Sequence, residues 1–233
     1  MWSEVRESLF TKNEKSKLNI VVNVLIIIIF AALIFELLFS ATYSGVYIVG
    51  DSMNPTLTGA YENSYGVADT SGDYVYVNRS VTPDYGDIVV INKTKDITIV
   101  KRVIAKGGDY VKIVGGKVYI RHSADEPFGD PLSEEYVSPE NNHANKKENT
   151  FHNDGVGYPV PEGCYFVLGD NRDVSLDSRE NDGTSFTDEQ IFGVVTEWSL
   201  KNKKFYTALH KYFSFDLPSY FGIDNRVKRN MVS

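Results

Sequence analysis

From Leu18 to Phe39 the chain reads LNIVVNVLIIIIFAALIFELLF, and no other stretch limits the folds open to it so strongly. The run has about the length that crosses roughly 30 Å of hydrocarbon as a helix. It is apolar on all sides, which excludes an amphipathic helix lying along a membrane surface. Its polar members are Asn19 and Asn23 near the start and Glu36 near the end. A carboxyl within a turn of the interface reaches water or takes up a proton, so Glu36 reads as incidental. Lys12, Lys15 and Lys17 precede the run, and the next basic residue after it is Arg79. That bias places residues 1–17 in the cytoplasm, 18–39 in the bilayer and 40–233 outside the cytoplasm. A cleavable secretory signal shares this grammar. The run is too long for one, however, and the following LLFSATY offers no good small-x-small site.

The 233 residues leave room for one sizeable domain beyond the anchor. Its hydrophobic and aromatic content is that of a folded chain. A net charge of −7 with no basic patch argues against nucleic acid as partner. The single cysteine, Cys164, sits in the apolar run CYFVL and reads as a buried, inert thiol.

After Tyr43 the sequence consists of short strand-like segments between turn residues, without long helical periodicity. VYIVG leads into Ser52, and DYVYVN, GDIVVIN and ITIVKRVIA follow. DYVKIVGGKVYI is a hairpin turning at Gly115 and Gly116. Residues 121–160 are dominated by Asn, Glu, Pro and Lys, which predicts an inserted, partly mobile loop with little to bury. Strands resume with CYFVLGD and IFGVVTEWSL. The aromatic tail from Phe205 is expected to pack into the core, with contact to lipid headgroups as the alternative.

His122, His143, His152 and His210 lack paired ligand spacing, and with one cysteine no zinc site is proposed. The acidic stretch GDNRDVSLDSRENDG lacks the alternating ligands and central Gly of a calcium loop. Arg172 and Arg179 interrupt it, so internal carboxylate–guanidinium pairs are the better account.

A nucleophilic site working without histidine remains, in which a lysine amine takes the proton of a serine hydroxyl. Only about 0.1% of a solvated lysine is neutral near pH 7.4, and lowering its pKa by about three units costs roughly 4 kcal/mol. Such a lysine therefore belongs among apolar groups. In ITIVKRVIA the strand period places Ile97, Ile99, Lys101 and Val103 on one face, and Thr98, Val100, Arg102 and Ile104 on the other. Lys101 thus has apolar neighbours, whereas Lys93, Lys95, Lys146, Lys147, Lys201, Lys203 and Lys204 lie in polar contexts and read as solvated. An edge lysine reaching out to water is the bland alternative for Lys101, and a turn residue is the bland alternative for Ser52.

SMNPTL at Ser52, GDIVV at Gly86, VKRVIAKGGD around Lys101 and GDNRDVSLDSR at Gly169 stand in the order and approximate spacing of the bacterial type I signal peptidases. The chain resembles that family from its anchor to about Trp198. The resemblance implies a mostly β, signal-peptidase-like catalytic domain preceded by one N-terminal transmembrane helix. It also implies a serine endopeptidase, without metal or organic cofactor, that removes signal peptides from exported preproteins. Carried over by position, Ser52 corresponds to the nucleophile and Lys101 to the general base. Ser175 corresponds to a serine that hydrogen-bonds the lysine amine, and Asp177 and Arg179 to a pair bracing the loop, with Asp170 and Arg172 in the same support. Ser52 N–H would donate to the oxyanion. Some members place a second donor, a serine hydroxyl, where Gly50 stands here, so that donor stays open. Val174 replaces an asparagine common in the motif. Thirteen residues separate Phe39 from Ser52, at most about 45 Å of extended chain, so the nucleophile stays near the membrane face. An extended substrate is expected to add to a strand edge near Asp51 and Met53, with apolar surface around Met53 and Leu57 excluding water.

Two other readings compete. Self-cleaving repressors share the Ser-Lys chemistry on a related fold but are soluble and carry a nucleic-acid domain, unlike this anchored chain. A catalytically silent, anchored surface protein binding extended peptides through residues 121–160 is the reading from a different class.

Overall fold

The structure is a computed structural model and describes residues 12–60, 72–146 and 149–212. The chain divides into two compact units, Met1–Tyr43 and Ser44–Ser233. The first contains α1 (Lys12–Thr42), whose stretch Ser16–Thr42 is long and apolar enough to cross a membrane. Every side chain from Ser16 to Leu38 is exposed. A helix with a greasy surface all round and no protein cover is suited to lipid rather than to a protein core.

The second unit is mostly β. Its strands are β1 (Tyr43–Tyr47), β2 (Tyr74–Asn78), β3 (Ile88–Asn92), β4 (Thr98–Lys106), β5 (Tyr110–Val114), β6 (Lys117–Arg121), β7 (Tyr158–Pro159), β8 (Cys164–Leu168), β9 (Phe186–Thr187) and β10 (Ile191–Val195). Seven form a sheet in the order β1-β2-β10-β3-β4-β8-β9, and three form a smaller sheet in the order β6-β5-β7. The hairpin between β5 and β6 turns at Gly115 and Gly116, both at positive φ, as its sequence predicts.

Strand β4 lies inside the large sheet, with Val89 of β3 opposite Lys101 and Leu168 of β8 opposite Arg102. Both faces are covered. Ile99 and Val103 join Val89, Ile91, Val167 and Phe186 in one apolar cluster. Val100 joins Met53, Leu57, Ile88 and Val90 in a second. Ile104 joins Phe166 and Leu168 in a third, where the small sheet contributes Val111, Ile113 and Val118. A strand buried on both faces reads as a nearly continuous apolar run, and β4 carries its charged residues within such a run.

Four sequence expectations are corrected. Residues 121–160 are tied down more firmly than their composition suggests. Ile113 and Phe151 exchange backbone hydrogen bonds of 2.8 and 2.9 Å, Leu132 N–H donates to Val118 O, and Phe151 and Val160 are buried. Backbone pairing and polar contacts hold this segment, which apolar content does not register. Cys164 is half-buried rather than buried; desolvation nevertheless pushes its thiol pKa up, which disfavours the nucleophilic thiolate. The tail forms a helix that apolar periodicity did not announce. After the short α2 (Glu197–Lys201) comes α3 (Lys203–Tyr212), whose inner face at Lys203, Tyr206, Thr207 and His210 has helical spacing but is largely polar. Its Lys203 is not solvated, because Nζ donates to Asp73 at 2.6 Å and to Thr56 O at 2.8 Å. Residues beyond 212 lie outside the described residues.

The hairpin supplies a test. At Gly116, φ is +79° and an added Cβ would stand 2.3 Å from Asn142 Oδ1, whereas Gly129 has open space around it. Gly116→Val is expected to cost about 1–3 kcal/mol, from a conformation that side chains other than hydrogen rarely adopt. Gly129→Ala is expected to leave thermal unfolding in detergent unchanged.

Candidate active site

Burial on both faces leaves the Lys101 amine few places to go. Lys101 is 1% exposed and Ser52 6%. Nζ lies 2.8 Å from Ser52 Oγ and 2.9 Å from Val100 O. Loss of hydration is the main force on the amine and lowers its pKa to about 8. Asp177 pulls the value back up, while Lys93 pushes it down. The folded chain therefore binds this proton less tightly than the unfolded one. The resulting cost, about 3 kcal/mol, is present in full below pH 8 and is relieved between about pH 8 and pH 10.5.

Ser52 stands at the start of a turn. Asn54 N–H donates to Asp51 O and Leu57 N–H to Met53 O, and Asp51 Oδ1 accepts from Asn54 Nδ2 at 2.9 Å. Residues 51–57 are thus turn, and the strand edge expected at Asp51 and Met53 is not formed by them. Met53 and Leu57 are core residues rather than an apolar surface. Gly50 has φ +79°, a conformation that favours glycine over a serine at this position.

The loop from Gly169 to Arg179 closes over the serine. Asn171 N–H donates to Ser52 O at 3.0 Å. A Cβ at Gly169 would stand 2.4 Å from Ser52 O and 2.2 Å from Ser175 Oγ, so the approach requires glycine. Arg179 grips Asp177 through two hydrogen bonds of 2.8 and 2.9 Å and also donates to Arg172 O and Asn149 Oδ1. Burial by itself would raise the Asp177 pKa, but Arg179 and Gly169 N–H hold it below its ordinary value. Asp177 and Arg179 are paired as anticipated. Asp170 and Arg172 are not partners of each other. Asp170 receives two hydrogen bonds from Arg102, at 2.9 and 2.6 Å, and one from Thr56. Arg172 grips Glu134 and donates to Gly169 O. Ser175 does not bond to Lys101. Its buried hydroxyl lies beside Asp177 instead and helps to hold that carboxyl below its ordinary pKa. Val174 is exposed, away from these contacts.

Residues missed by sequence reasoning are Arg102, Glu134, Asn149, Asn171 and Asp173. Arg102 also donates to Gly86 O and stacks on Tyr136 at 3.9 Å. His143 and Lys146, both within the polar insertion, bond to Asp173, Lys146 with its side chain still 42% exposed. Lys93, read as solvated, pairs with Glu180. The one local signal for Arg102 was its place in an apolar strand, where a buried cation needs a carboxylate.

A serine hydroxyl touching a desolvated amine, braced by a loop of paired charges, is the arrangement of a hydrolase working without histidine. The sequence model described as "Signal peptidase, peptidase S26" matches residues 18–200, and the chain belongs to that family. Among its relatives, signal peptidase I P of Bacillus subtilis subsp. natto is 30% identical over 191 residues, covering 80% of this chain and 92% of that protein. Signal peptidase I S of Bacillus subtilis strain 168 is 34% identical over 186 residues, covering 77% and 87%. The crystal structure of a signal peptidase I from Enterococcus faecalis is 30% identical, with a TM-score of 0.38 over 50% of this chain and 98% of that one.

The buried pair Arg102–Asp170 yields a prediction. Arg102→Leu leaves a fully buried carboxylate without its cation and is expected to cost about 3–5 kcal/mol. Adding Asp170→Leu to Arg102→Leu should recover part of that loss in thermal unfolding.

Proposed function

We propose that this chain is a membrane-anchored serine endopeptidase that removes signal peptides from exported preproteins, with Ser52 as nucleophile and Lys101 as general base. The observation that carries the reading is the 2.8 Å contact between Lys101 Nζ and Ser52 Oγ, made where the amine is cut off from water. With its pKa lowered to about 8, a neutral amine is populated near neutral pH, with a driving force suited to a general base.

The neutral amine accepts the Ser52 hydroxyl proton while one of its own hydrogens stays on Val100 O. Oγ then bonds to the scissile carbonyl carbon, whose oxygen gains the negative charge. Ser52 N–H is the donor assigned to that oxygen, and a well-placed donor is worth about 3 kcal/mol. As the carbon–nitrogen bond breaks, the ammonium returns its proton to the leaving amine. Water, deprotonated by the same amine, then bonds to the acyl carbon, and the ammonium returns the proton to Ser52 Oγ as the ester bond breaks. Asp177, Arg179, Asp170 and Arg172 hold the loop over the serine without touching the reacting atoms. Gly50 and Asp51 flank the space where the substrate backbone is expected.

The membrane supplies the rest of the reading. With Lys12, Lys15 and Lys17 in the cytoplasm and α1 across the bilayer, the catalytic domain lies outside, where a signal peptide presents its cleavage site. A silent peptide-binding protein would gain nothing from burying a lysine at a cost of about 3 kcal/mol.

Ser52→Ala, Lys101→Met and Lys101→Arg are each expected to abolish cleavage of a preprotein in detergent, with folding retained. Undiminished processing by any of the three would refute the pair. For the unaltered enzyme, kcat/KM is expected to fall about tenfold per pH unit below pH 8 and to level off above it, as the amine loses its proton.

A further inference from the structure

Helix α3 lies beyond residues 18–200, the part of the chain matched by the family. Its inner face is accounted for. Tyr206 packs edge-on against Tyr76 and Trp198, and the ring of His210 stacks on Tyr74 at 4.2 Å. The opposite face is apolar and open to solvent: Phe205 is 61% exposed, Leu209 39% and Tyr212 76%. At about 100° per residue these three share one stripe, and Lys204 and Lys211 fall together on one flank.

The charge on this stretch runs against that of the molecule. The chain carries −7, yet residues 198–212 hold four lysines and no carboxylate. Among the described residues neither Lys204 nor Lys211 has an ion pair. An apolar stripe with a lysine flank and aromatic residues at its edges fits the headgroup region of an anionic bilayer, where rings sit at the boundary and lysines meet phosphate. The sequence continues with Phe213, Phe215, Leu217, Tyr220 and Phe221, then Arg226, Lys228 and Arg229, so that aromatic and basic residues recur, with Asp216 and Asp224 among them.

Chain length brings such a surface within reach. His210 also packs against Tyr47, and Tyr47 is five residues after Thr42, the end of α1, or at most about 17 Å of extended chain. We propose that α3 is a second membrane contact, its Phe205, Leu209 and Tyr212 stripe seated among the headgroups of an anionic leaflet beside the anchor. The proposal rests on the anchored reading above. Its consequence for the site runs through Lys203, which donates to Thr56 O in the turn that begins at Ser52. A seated α3 fixes the depth of that turn relative to the bilayer.

The full chain can test this. In a Cys164→Ser background, Leu209→Cys, Ile28→Cys and Lys117→Cys are each given an environment-sensitive fluorophore. The proteins are then reconstituted into phosphatidylglycerol–phosphatidylcholine bilayers containing spin-labelled lipid. Quenching at position 209 is expected to exceed that at exposed position 117 by roughly twofold or more, and to fall in pure phosphatidylcholine or with Lys204→Glu and Lys211→Glu. Strong quenching at position 28 with none above background at 209 overturns the proposal while sparing the anchor. An absence of quenching at both overturns the anchor and the proposal together. Cross-linking of position 209 between two chains, without lipid quenching, would assign the stripe to a second copy and also overturn it.

Discussion

The contact between the Lys101 amine and the Ser52 hydroxyl depends on keeping water away from an atom that water would otherwise hold charged. Few local structures can do this for a lysine, whose flexible stem normally carries the ammonium to the surface. A strand covered on both faces can. Ile99 and Val103 wall one side of β4, Val100 and Ile104 anchor the clusters on the other, and Val89 stands opposite Lys101 in the neighbouring strand. The core therefore sets the chemistry as well as the stability of the domain.

Such a site is sensitive to carboxylates, because an unneutralised negative charge nearby would favour the ammonium. Two buried aspartates lie in the loop that closes over Ser52, and each is held by its own guanidinium. Asp177 does raise the Lys101 pKa, but Arg179 pulls in the opposite direction. These ion pairs are best understood as control of local charge and loop position. A buried pair contributes little net stability, though losing one partner is costly.

The polar segment between β6 and β7 belongs to the same construction. Glu134 satisfies Arg172, Asn149 accepts from Arg179, and His143 and Lys146 bind Asp173. A stretch resembling a solvated insertion thus supplies the outer layer of support for the loop that closes over Ser52. At the other edge of the sheet, Lys203 connects α3 to the turn that carries the serine. Ser52 is held from two sides by residues distant in sequence.

The sequence by itself determined the apolar helix, most of the strands, the Gly115–Gly116 hairpin and the apolar setting of Lys101, because each is written in a period of two or in an uninterrupted apolar run over neighbouring residues. Tertiary structure alone decided that Asp170 takes Arg102, 68 positions away, rather than Arg172 two positions along. It also decided that Ser175 stands without a bond to the amine, that Met53 belongs to the core, and that a largely polar stripe is the inner face of α3. Charged and hydroxyl side chains carry no periodic signal of their partners. Their pairing follows from which strands the topology brings side by side, and that is fixed only when the whole sheet closes.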